Sequence, residues 1–190
     1  DVVVLATGAT MSWPQELPVE LAEDGAILDL RELTVGLADF TGQEEGTAVI
    51  LDRDHTWGTY AAAERLRQIF SRVMIVTPRE RLAEAEALVT RQIINQRLSL
   101  ADVSWRTHSR VLGDSPLDEG MVHVANIFSG VQETIDDLAL LTYATPRVPN
   151  DELAAPLAAL GINCHLVGDV YAPRTLLAAT RQGFEIGNLI

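Results

Sequence analysis

Residues 47–78, TAVILDRDHTWGTYAAAERLRQIFSRVMIVTP, decide the fold of this chain. They predict four consecutive elements: a strand at 48–51, a tight turn at 52–58, a helix at 59–70 and a strand at 73–76. Continuous β-branched runs are typical of parallel strands that are buried on both faces. The predicted helix carries apolar residues at the spacing of one buried face, namely Tyr60, Ala63, Leu66 and Phe70. The segment is therefore predicted to be a right-handed βαβ unit, the nucleus of a dinucleotide-binding fold.

The turn before the predicted helix is where such a fold holds a phosphate, because a helix N-terminus offers free N–H groups and a partial positive charge. A dinucleotide fingerprint reads G-x-G-x-x-G, but residues 52–58 read DRDHTWG, with Gly58 as the single glycine. The two aspartates of this turn would also repel a pyrophosphate. The sequence therefore favours a degenerate or structural unit over tight NAD(P) binding here. Trp57, Gly58 and Thr59 are the candidate cofactor-binding residues, and the Trp57 ring is a candidate to cover an adenine.

The composition excludes several classes of function. The net charge is −13 and the pI about 4.6, with no basic stripe, so nucleic-acid binding is excluded. No apolar run approaches the roughly 20 residues that span a bilayer, and no signal-peptide pattern is present. We expect a cytoplasmic protein without a membrane partner. The strand-like start DVVVLATGA predicts a segment cut from a longer polypeptide.

The residue types that carry metal or nucleophilic chemistry are sparse. Cys164, the single cysteine, forms no internal disulfide and by itself holds neither an iron–sulfur cluster nor zinc. Its apolar surroundings predict a buried, inert thiol. The four histidines share no metal-ligand spacing, so no metal site is predicted. No Ser, His and acid grouping resembles a nucleophile elbow, and no catalytic residue is assigned.

The rest of the chain predicts a sheet with an insertion. Buried strands are predicted at 1–5, 138–142 and 162–167, and helices at 33–40, 79–97, 152–160 (capped by Asp151) and from Pro173 onward. The face of the 79–97 helix is expected to include Leu82, Ala85, Leu88, Val89 and Ile93. Alternating runs at 103–111, 121–127 and 131–135, with a hairpin turn at 129–130, predict an antiparallel meander. Residues 10–46 are predicted to be largely irregular and 145–150 to be a loop. The predicted class is α/β, a Rossmann-like parallel sheet with an inserted three-stranded β-meander.

Four stretches together resemble one family of proteins. They are ATGA at 6–9, VTP at 76–78, ATPRVPNDEL at 144–153 and GDVYAPR at 168–174. With the strand order, they resemble the C-terminal region of the iron–sulfur flavoenzymes related to old yellow enzyme. That family includes trimethylamine, dimethylamine and histamine dehydrogenases, 2,4-dienoyl-CoA reductase and NADH:flavin oxidoreductases.

The resemblance implies a nucleotide-binding portion of a multidomain flavin oxidoreductase. Residues 1–45 and 151–190 would be the trailing parts of an FAD-like domain that holds FAD or ADP, and 46–150 an inserted NAD(P)H-like domain. The FMN barrel, the 4Fe–4S cluster and the FAD-like G-x-G-x-x-G would lie upstream. The substrate would be an amine, an N-methyl compound or an enone, converted on the FMN barrel. Members that do not use NAD(P)H pass electrons to an electron-transferring flavoprotein.

The chain departs from the family pattern at two places. The family keeps more glycine in the turn that here has only Gly58, and it has glycine where this chain has Pro146. Proline removes a backbone donor and fixes φ near −65°. Both departures weaken the case for NAD(P)H and favour the alternative function, a non-catalytic nucleotide-fold module that serves as a scaffold or subunit interface.

The best candidate site is Gly168-Asp169, at the end of a predicted strand. Its carboxylate could accept hydrogen bonds from a ribose or ribityl hydroxyl, while the next helix N-terminus faces phosphates or flavin. The alternative is that Asp169 only caps that helix. Thr7 and Gly8 mark either a strand-to-loop crossing against the cofactor or a plain turn. Two arginines, Arg79 and Arg81, follow the second strand where an NADP enzyme holds the 2′-phosphate, but the intervening glutamate favours a solvated surface.

Overall fold

The computed structural model describes residues 2–190, which form eleven strands, six α-helices and two short 3-10 turns. The strands are β1 (Val2–Leu5), β2 (Ala9–Met11), β3 (Glu44–Asp52), β4 (Phe70–Val76), β5 (Ser104–Arg106), β6 (Ser109–Val111), β7 (Val122–Asn126), β8 (Gln132–Ile135), β9 (Leu138–Ala144), β10 (Arg147–Pro149) and β11 (Asn163–Leu166). The helices are α1 (Glu20–Glu23), α2 (Leu30–Gly36), α3 (Trp57–Ile69), α4 (Leu88–Leu100), α5 (Ala154–Ala159) and α6 (Leu176–Gly187). The 3-10 turns are Leu117–Glu119 and Gly168–Val170.

The chain divides into two compact units. Unit 1 is the chain up to Ser12 together with Pro146–Ile190, and unit 2 is Trp13–Thr145. These boundaries lie at different residues from the predicted domain limits of 45/46 and 150/151, because residues 13–45 group with the inserted unit and residues 146–150 with unit 1. The assignment of the two units to FAD-like and NAD(P)H-like domains stays a prediction.

Unit 2 is built on a four-stranded parallel sheet in the order β5-β4-β3-β9. The predicted βαβ unit is confirmed, with Val49 opposite Met74 on neighbouring parallel strands. The predicted helix face is buried at Tyr60, Ala63 and Leu66, each at most 1% exposed. Phe70, predicted to end that face, instead begins β4, because the chain leaves the helix at Ile69 and turns directly into the strand. As predicted, β9 returns to this parallel sheet.

The predicted three-stranded meander is confirmed as the antiparallel sheet β6-β7-β8. The hairpin turn is stabilised by Asn126, whose Oδ1 accepts from the N–H groups of Phe128 and Ser129 at 3.0 and 2.9 Å. The prediction of one strand over 103–111 is wrong. The backbone turns at His108, whose φ is +49°, so β5 joins the parallel sheet and β6 joins the meander.

The prediction of a helix over 79–97 is wrong at its N-terminal half, because α4 begins only at Leu88. The preceding loop is held in a non-helical path by Ala83, whose φ is +53° and whose N–H donates to the Tyr60 hydroxyl at 2.5 Å. The predicted helix face is also wrong except at Leu82, which is buried as expected but lies in the loop before α4. The buried residues of α4 are Ile94 and Leu98, whereas Leu88 is 60% exposed, like its apolar neighbours at 89 and 93.

Unit 1 is assembled from segments that are distant in sequence. The strands β1 and β11 pair in parallel from Val2↔Asn163 to Leu5↔Leu166, and β2 and β10 pair antiparallel. The strands predicted at 1–5 and 162–167 are thus present in the described residues; Asp1 lies outside them. The prediction that they are buried is wrong, because Val2 and Val4 are 45% and 41% exposed and no residue of β11 is fully buried. The predicted loop over 145–150 is wrong because it contains β10.

Three helix boundaries differ from their predictions. The helix predicted at 33–40 is α2, which lies earlier because the Asp29 carboxylate caps it by accepting from the N–H groups of Arg31 and Glu32. Asp151 does not cap α5, which begins at Ala154 without a side-chain cap. The last helix begins at Leu176 and not at Pro173, because Thr175 is its N-cap and accepts from the Ala178 N–H at 3.3 Å.

Candidate functional site

The turn from β11 into α6 is the centre of the candidate site in unit 1. Gly168 has a φ of +74°, a left-handed conformation that glycine adopts at no steric cost. Its N–H donates to Gln182 Oε1 at 2.9 Å, and a Cβ at this position would lie 3.5 Å from the Ala179 Cβ. The strand end is therefore packed directly against α6, and the backbone at Gly168 is fixed by that helix.

Asp169 is the charged centre of the same turn. Its Oδ2 forms an ion pair with the Arg147 guanidinium from β10, and its Oδ1 accepts from the Arg174 N–H at 3.2 Å. Arg147 also donates to the Arg174 carbonyl at 3.1 Å. A carboxylate has about four lone-pair sites, so each oxygen of Asp169 keeps capacity to accept one further bond.

A cavity of about 540 Å³ lies beside this turn. It is lined by Ala6, Gly8, Arg147, Val167, Gly168, Asp169, Arg174, Thr175, Leu176, Ala179 and Thr180. The N-terminus of the 12-residue helix α6 borders it. The first N–H groups of a helix have no intrahelical acceptor and carry partial positive charge. The side chain of Arg174 makes no ion pair with any residue in 2–190. Charge and shape at this cavity therefore suit a phosphate-bearing ligand.

The structure brings some of the predicted site residues together but not all. Gly8, with a φ of +77°, lines the cavity with Gly168 and Asp169. Thr7 does not line it; its hydroxyl donates to the Asn150 carbonyl at 2.5 Å, and the Asn150 N–H returns a bond to the Gly8 carbonyl at 3.0 Å. The arginines at 147 and 174 were missed as site residues. Their only sequence signal is that each lies in a motif stretch of an otherwise acidic chain.

The predicted phosphate turn of unit 2 is organised by a buried carboxylate. Asp52 is fully buried at the end of β3 and accepts from the His55 N–H at 3.0 Å and the Tyr60 hydroxyl at 2.6 Å. His55 has a φ of +57°, and its Nδ1 lies 3.4 Å from Asp52 Oδ2. One of the two aspartates expected to repel a pyrophosphate is therefore an internal acceptor that shapes the turn.

The N-terminus of α3, which carries the predicted residues Trp57, Gly58 and Thr59, already has an acceptor from the chain. Thr56 occupies the N-cap position without capping, because its hydroxyl donates to the Asp54 carboxylate. The Trp57 N–H donates instead to Glu86 Oε1 at 3.0 Å. The Arg97 guanidinium lies 5.4 Å from the centroid of the Trp57 ring.

Other predicted features are placed as follows. Arg79 and Arg81 are exposed and lie 3.5 Å from the carboxylates of Glu84 and Glu80, respectively.

Cys164, expected to be buried, is only half-buried, because β11 pairs on one edge with β1. Within residues 2–190, no group of three or more potential ligands could hold a metal ion, and no helix has the length and apolar character to span a bilayer.

Burial raises the pKa of the Tyr60 phenol, and the Asp52 charge raises it further. A tyrosine in an unfolded chain ionises at about pH 10, whereas the Tyr60 phenol of the folded chain keeps its proton above that pH. The contribution of the neutral Tyr60 phenol to the free energy of unfolding is therefore complete below about pH 10 and is lost as the pH rises further.

We expect Tyr60→Phe to lower the free energy of unfolding of unit 2 by about 1.5 kcal/mol at neutral pH, since a hydrogen bond to a charged group is lost. The variant should also lose most of the stability decline above about pH 10. Urea unfolding at pH 7 to 11, followed by tryptophan fluorescence, measures both effects. An alkaline decline that is equally steep in Tyr60→Phe would contradict this role.

Comparisons with proteins of known structure show the same fold in larger chains. Histamine dehydrogenase from Rhizobium sp. 4-9 matches 98% of this chain at 19% identity with a TM-score of 0.78, over 30% of its own length. The 6-hydroxypseudooxynicotine amine oxidase HisD from Pseudomonas geniculata N1 matches 98% at 18% identity with a TM-score of 0.82, over 28% of its length. Thioredoxin reductase from Lactococcus lactis matches 96% at 20% identity with a TM-score of 0.70, over 62% of its length.

No protein-family model matches the chain, and no curated protein matches it in sequence. The chain spans less than a third of the two amine-oxidising enzymes and less than two thirds of the reductase. At these identities the comparisons establish the fold alone, which the chain shares with part of histamine dehydrogenase, of HisD and of thioredoxin reductase. The α/β fold predicted from the sequence resemblance is thereby confirmed.

Proposed function

We propose that the chain is the nucleotide-binding portion of a multidomain flavin oxidoreductase and that unit 1 holds FAD or ADP. The observation that carries this proposal is the cavity beside Gly168-Asp169, where the N-terminus of α6 and two arginines meet. The Arg174 guanidinium, which makes no ion pair, and the helix N-terminus supply positive charge for a pyrophosphate, whereas the charge of Arg147 is balanced by Asp169.

The residues of this cavity fit such a nucleotide. Arg174 would bind a phosphate oxygen, since its guanidinium is exposed and not already paired. Gly8 has open space where a Cβ would stand, so ligand atoms can approach its backbone. Asp169 would accept from a ribose or ribityl hydroxyl through the acceptor capacity that Arg147 and the Arg174 N–H leave free. FAD, when bound, supplies the redox chemistry; these residues bind and orient it.

The whole protein would be longer than this chain. Of histamine dehydrogenase, the amine oxidase HisD and 2-naphthoyl-CoA reductase, three solved proteins with this fold, the chain spans only 26–30%. Unit 1 contributes just two parallel strands, β1 and β11, with Val2 and Val4 more than 40% exposed. We propose that the upstream part supplies the rest of the FAD-like domain, an FMN barrel and a 4Fe–4S cluster. Its substrate would be an amine, an N-methyl compound or an enone. NAD(P)H would be its electron donor, or an electron-transferring flavoprotein its electron acceptor.

Calorimetric titration of the 190-residue chain with ADP, FAD, NADH and NADPH tests the proposal. We expect ADP or FAD to bind and Arg174→Gln to weaken that binding about tenfold, because a charge-assisted contact to phosphate is lost. Arg181→Gln is the matched control, since Arg181 lies on α6 but pairs with Glu185. Equal nucleotide affinity in the two variants would overturn the assignment of this cavity. If the chain binds no nucleotide, the same pair is compared in the polypeptide extended upstream.

The alternative is a non-catalytic nucleotide-fold module that acts as a scaffold or subunit interface. The observation that favours it is in unit 2, where Asp52 and Glu86 already occupy the donors of the phosphate turn. No binding of any of the four nucleotides in either polypeptide would support this alternative. Saturable NADH or NADPH binding would instead support the predicted role of Trp57, Gly58 and Thr59 as cofactor-binding residues.

A further inference from the structure

The N-terminus of α3 is served by a carboxylate that belongs to a distant loop. Glu86 lies in the segment after β4, 29 residues along the chain from Trp57, yet its Oε1 accepts the Trp57 N–H at 3.0 Å. Trp57 is the first residue of the 13-residue helix α3, so this N–H has no intrahelical acceptor. A carboxylate at this position is stabilised by the helix dipole and by a charge-assisted hydrogen bond.

The local sequence explains why an outside carboxylate is needed. Thr56 has the extended backbone of an N-cap, with a φ of −101° and a ψ of 162°, but its hydroxyl makes no cap bond. That hydroxyl donates to Asp54 instead. The first turn of α3 therefore lacks the side-chain acceptor that a threonine ordinarily supplies. Glu86 provides the missing acceptor.

The loop that carries Glu86 is fastened over the same turn. Leu82 and Ala83 are 3% and 0% exposed. The Ala83 N–H donates to the Tyr60 hydroxyl, which in turn donates to Asp52 at the end of β3. This series of hydrogen bonds joins the loop after β4 to the carboxyl end of β3. In an open α/β sheet, that strand end is where a nucleotide would lie.

A second, independent observation indicates that the turn is closed. Thr59 is 2% exposed, and its Oγ1 has no hydrogen-bond partner in the described chain. A ligand could reach a group this deeply buried only if the surrounding structure moved. One face of the Trp57 ring, the predicted platform for an adenine, lies against the Arg97 guanidinium, which is paired with Glu64 at 2.6 Å; the residue is 40% exposed.

We propose that Glu86 is the built-in anion of the α3 turn: it caps α3, holds the 77–87 loop across it and keeps a dinucleotide pyrophosphate out. This inference rests on contacts within unit 2 and does not depend on which nucleotide unit 1 binds. A glutamate carboxylate here takes the place that a phosphate takes in a working dinucleotide turn.

Amide hydrogen exchange and NMR titration of the 190-residue chain test the proposal. In the wild-type chain we expect inorganic pyrophosphate and NADH at millimolar concentration to leave the amide signals of Trp57, Gly58 and Thr59 unshifted. In Glu86→Gln we expect exchange of the Trp57 amide to rise about tenfold, because the charged acceptor is lost. Glu84→Gln is the matched control, since Glu84 lies in the same loop but pairs with Arg79.

The two measurements distinguish an α3 turn that Glu86 closes from one that is free to bind a pyrophosphate. An increase confined to Glu86→Gln, together with an unresponsive wild-type turn, supports a built-in anion. Saturable shifts of these amides in the wild-type chain would overturn the proposal, as would exchange at Trp57 that is the same in Glu86→Gln and the wild type. Because saturable shifts in the wild-type chain overturn the proposal without any variant, it stays falsifiable even if Glu86→Gln folds poorly.

Discussion

Leu66→Ala should lower the free energy of unfolding of unit 2 by about 3 kcal/mol, within the range measured for buried leucine truncations. Leu66 is 0% exposed on the face of α3 that packs on the parallel sheet. The cost combines the lost transfer free energy of the removed carbons with the cavity they leave. Helix propensity does not contribute to the loss, because alanine is the better helix former.

The matched control for this variant is Leu88→Ala at the start of α4. The sequence pattern placed Leu88 on a buried face, but the structure leaves it 60% exposed. The same chemical change should therefore cost less than about 0.5 kcal/mol. Urea unfolding followed by tryptophan fluorescence measures both variants, since Trp13, Trp57 and Trp105 all lie in unit 2. Similar costs for the two truncations would show that α3 does not cover the sheet.

Arg147→Met should destabilise unit 1 by about 3 kcal/mol, because it leaves the Asp169 carboxylate partly buried without its guanidinium partner. The two side chains are only 14% and 23% exposed. Methionine keeps much of the apolar volume of the arginine stem, so the loss reports the charge and not a cavity. Asp169→Asn alone should also destabilise the unit, and the double variant should recover part of the combined loss.

Amide hydrogen exchange of β1 and β11 measures these variants, because unit 1 contains no tryptophan among its residues. Arg181→Met is the control: it removes a similar ion pair, with Glu185, at an exposed position on α6. That change should leave exchange in the two strands unaltered. Strictly additive losses for Arg147→Met and Asp169→Asn would contradict a direct coupling between these side chains.

The βαβ unit could be predicted because its signals are local and agree. The run at 48–51 is continuous and apolar, and the helix that follows repeats its apolar residues every three or four positions. Tertiary contacts did not need to override these preferences. The parallel register of Val49 with Met74 then follows from the short crossover.

The boundary of α4 could not be predicted, because a contact distant in sequence decides it. Residues 79–87 have reasonable helical spacing, but the bond from Ala83 to Tyr60 joins residues 23 positions apart and holds a left-handed backbone. The wrong prediction of the buried face of α4 has the same cause. Once the helix begins at Leu88, the apolar residues that reach the core are Ile94 and Leu98.

Only those candidate site residues that lie in a recognisable sequence motif at a strand end could be predicted. Gly168 and Asp169 were found because a glycine and a carboxylate at a strand end are a recognisable pattern. Glu86 and Arg147 were not, because each meets its partner across the fold, 29 and 22 residues away. A sequence shows the charge of such residues but not which backbone amide or carboxylate they reach.

The pairing of β2 with β10 places the two ends of the inserted segment side by side. Met11 lies opposite Arg147, and the Ser12 N–H donates to the Pro146 carbonyl at 3.4 Å. An inserted segment whose two ends are neighbours in space can be removed without separating the strands that flank it. Residues 13–145 are therefore suited to excision and replacement by a short glycine-rich bridge, which would yield a minimal protein on which nucleotide capture could be studied by itself.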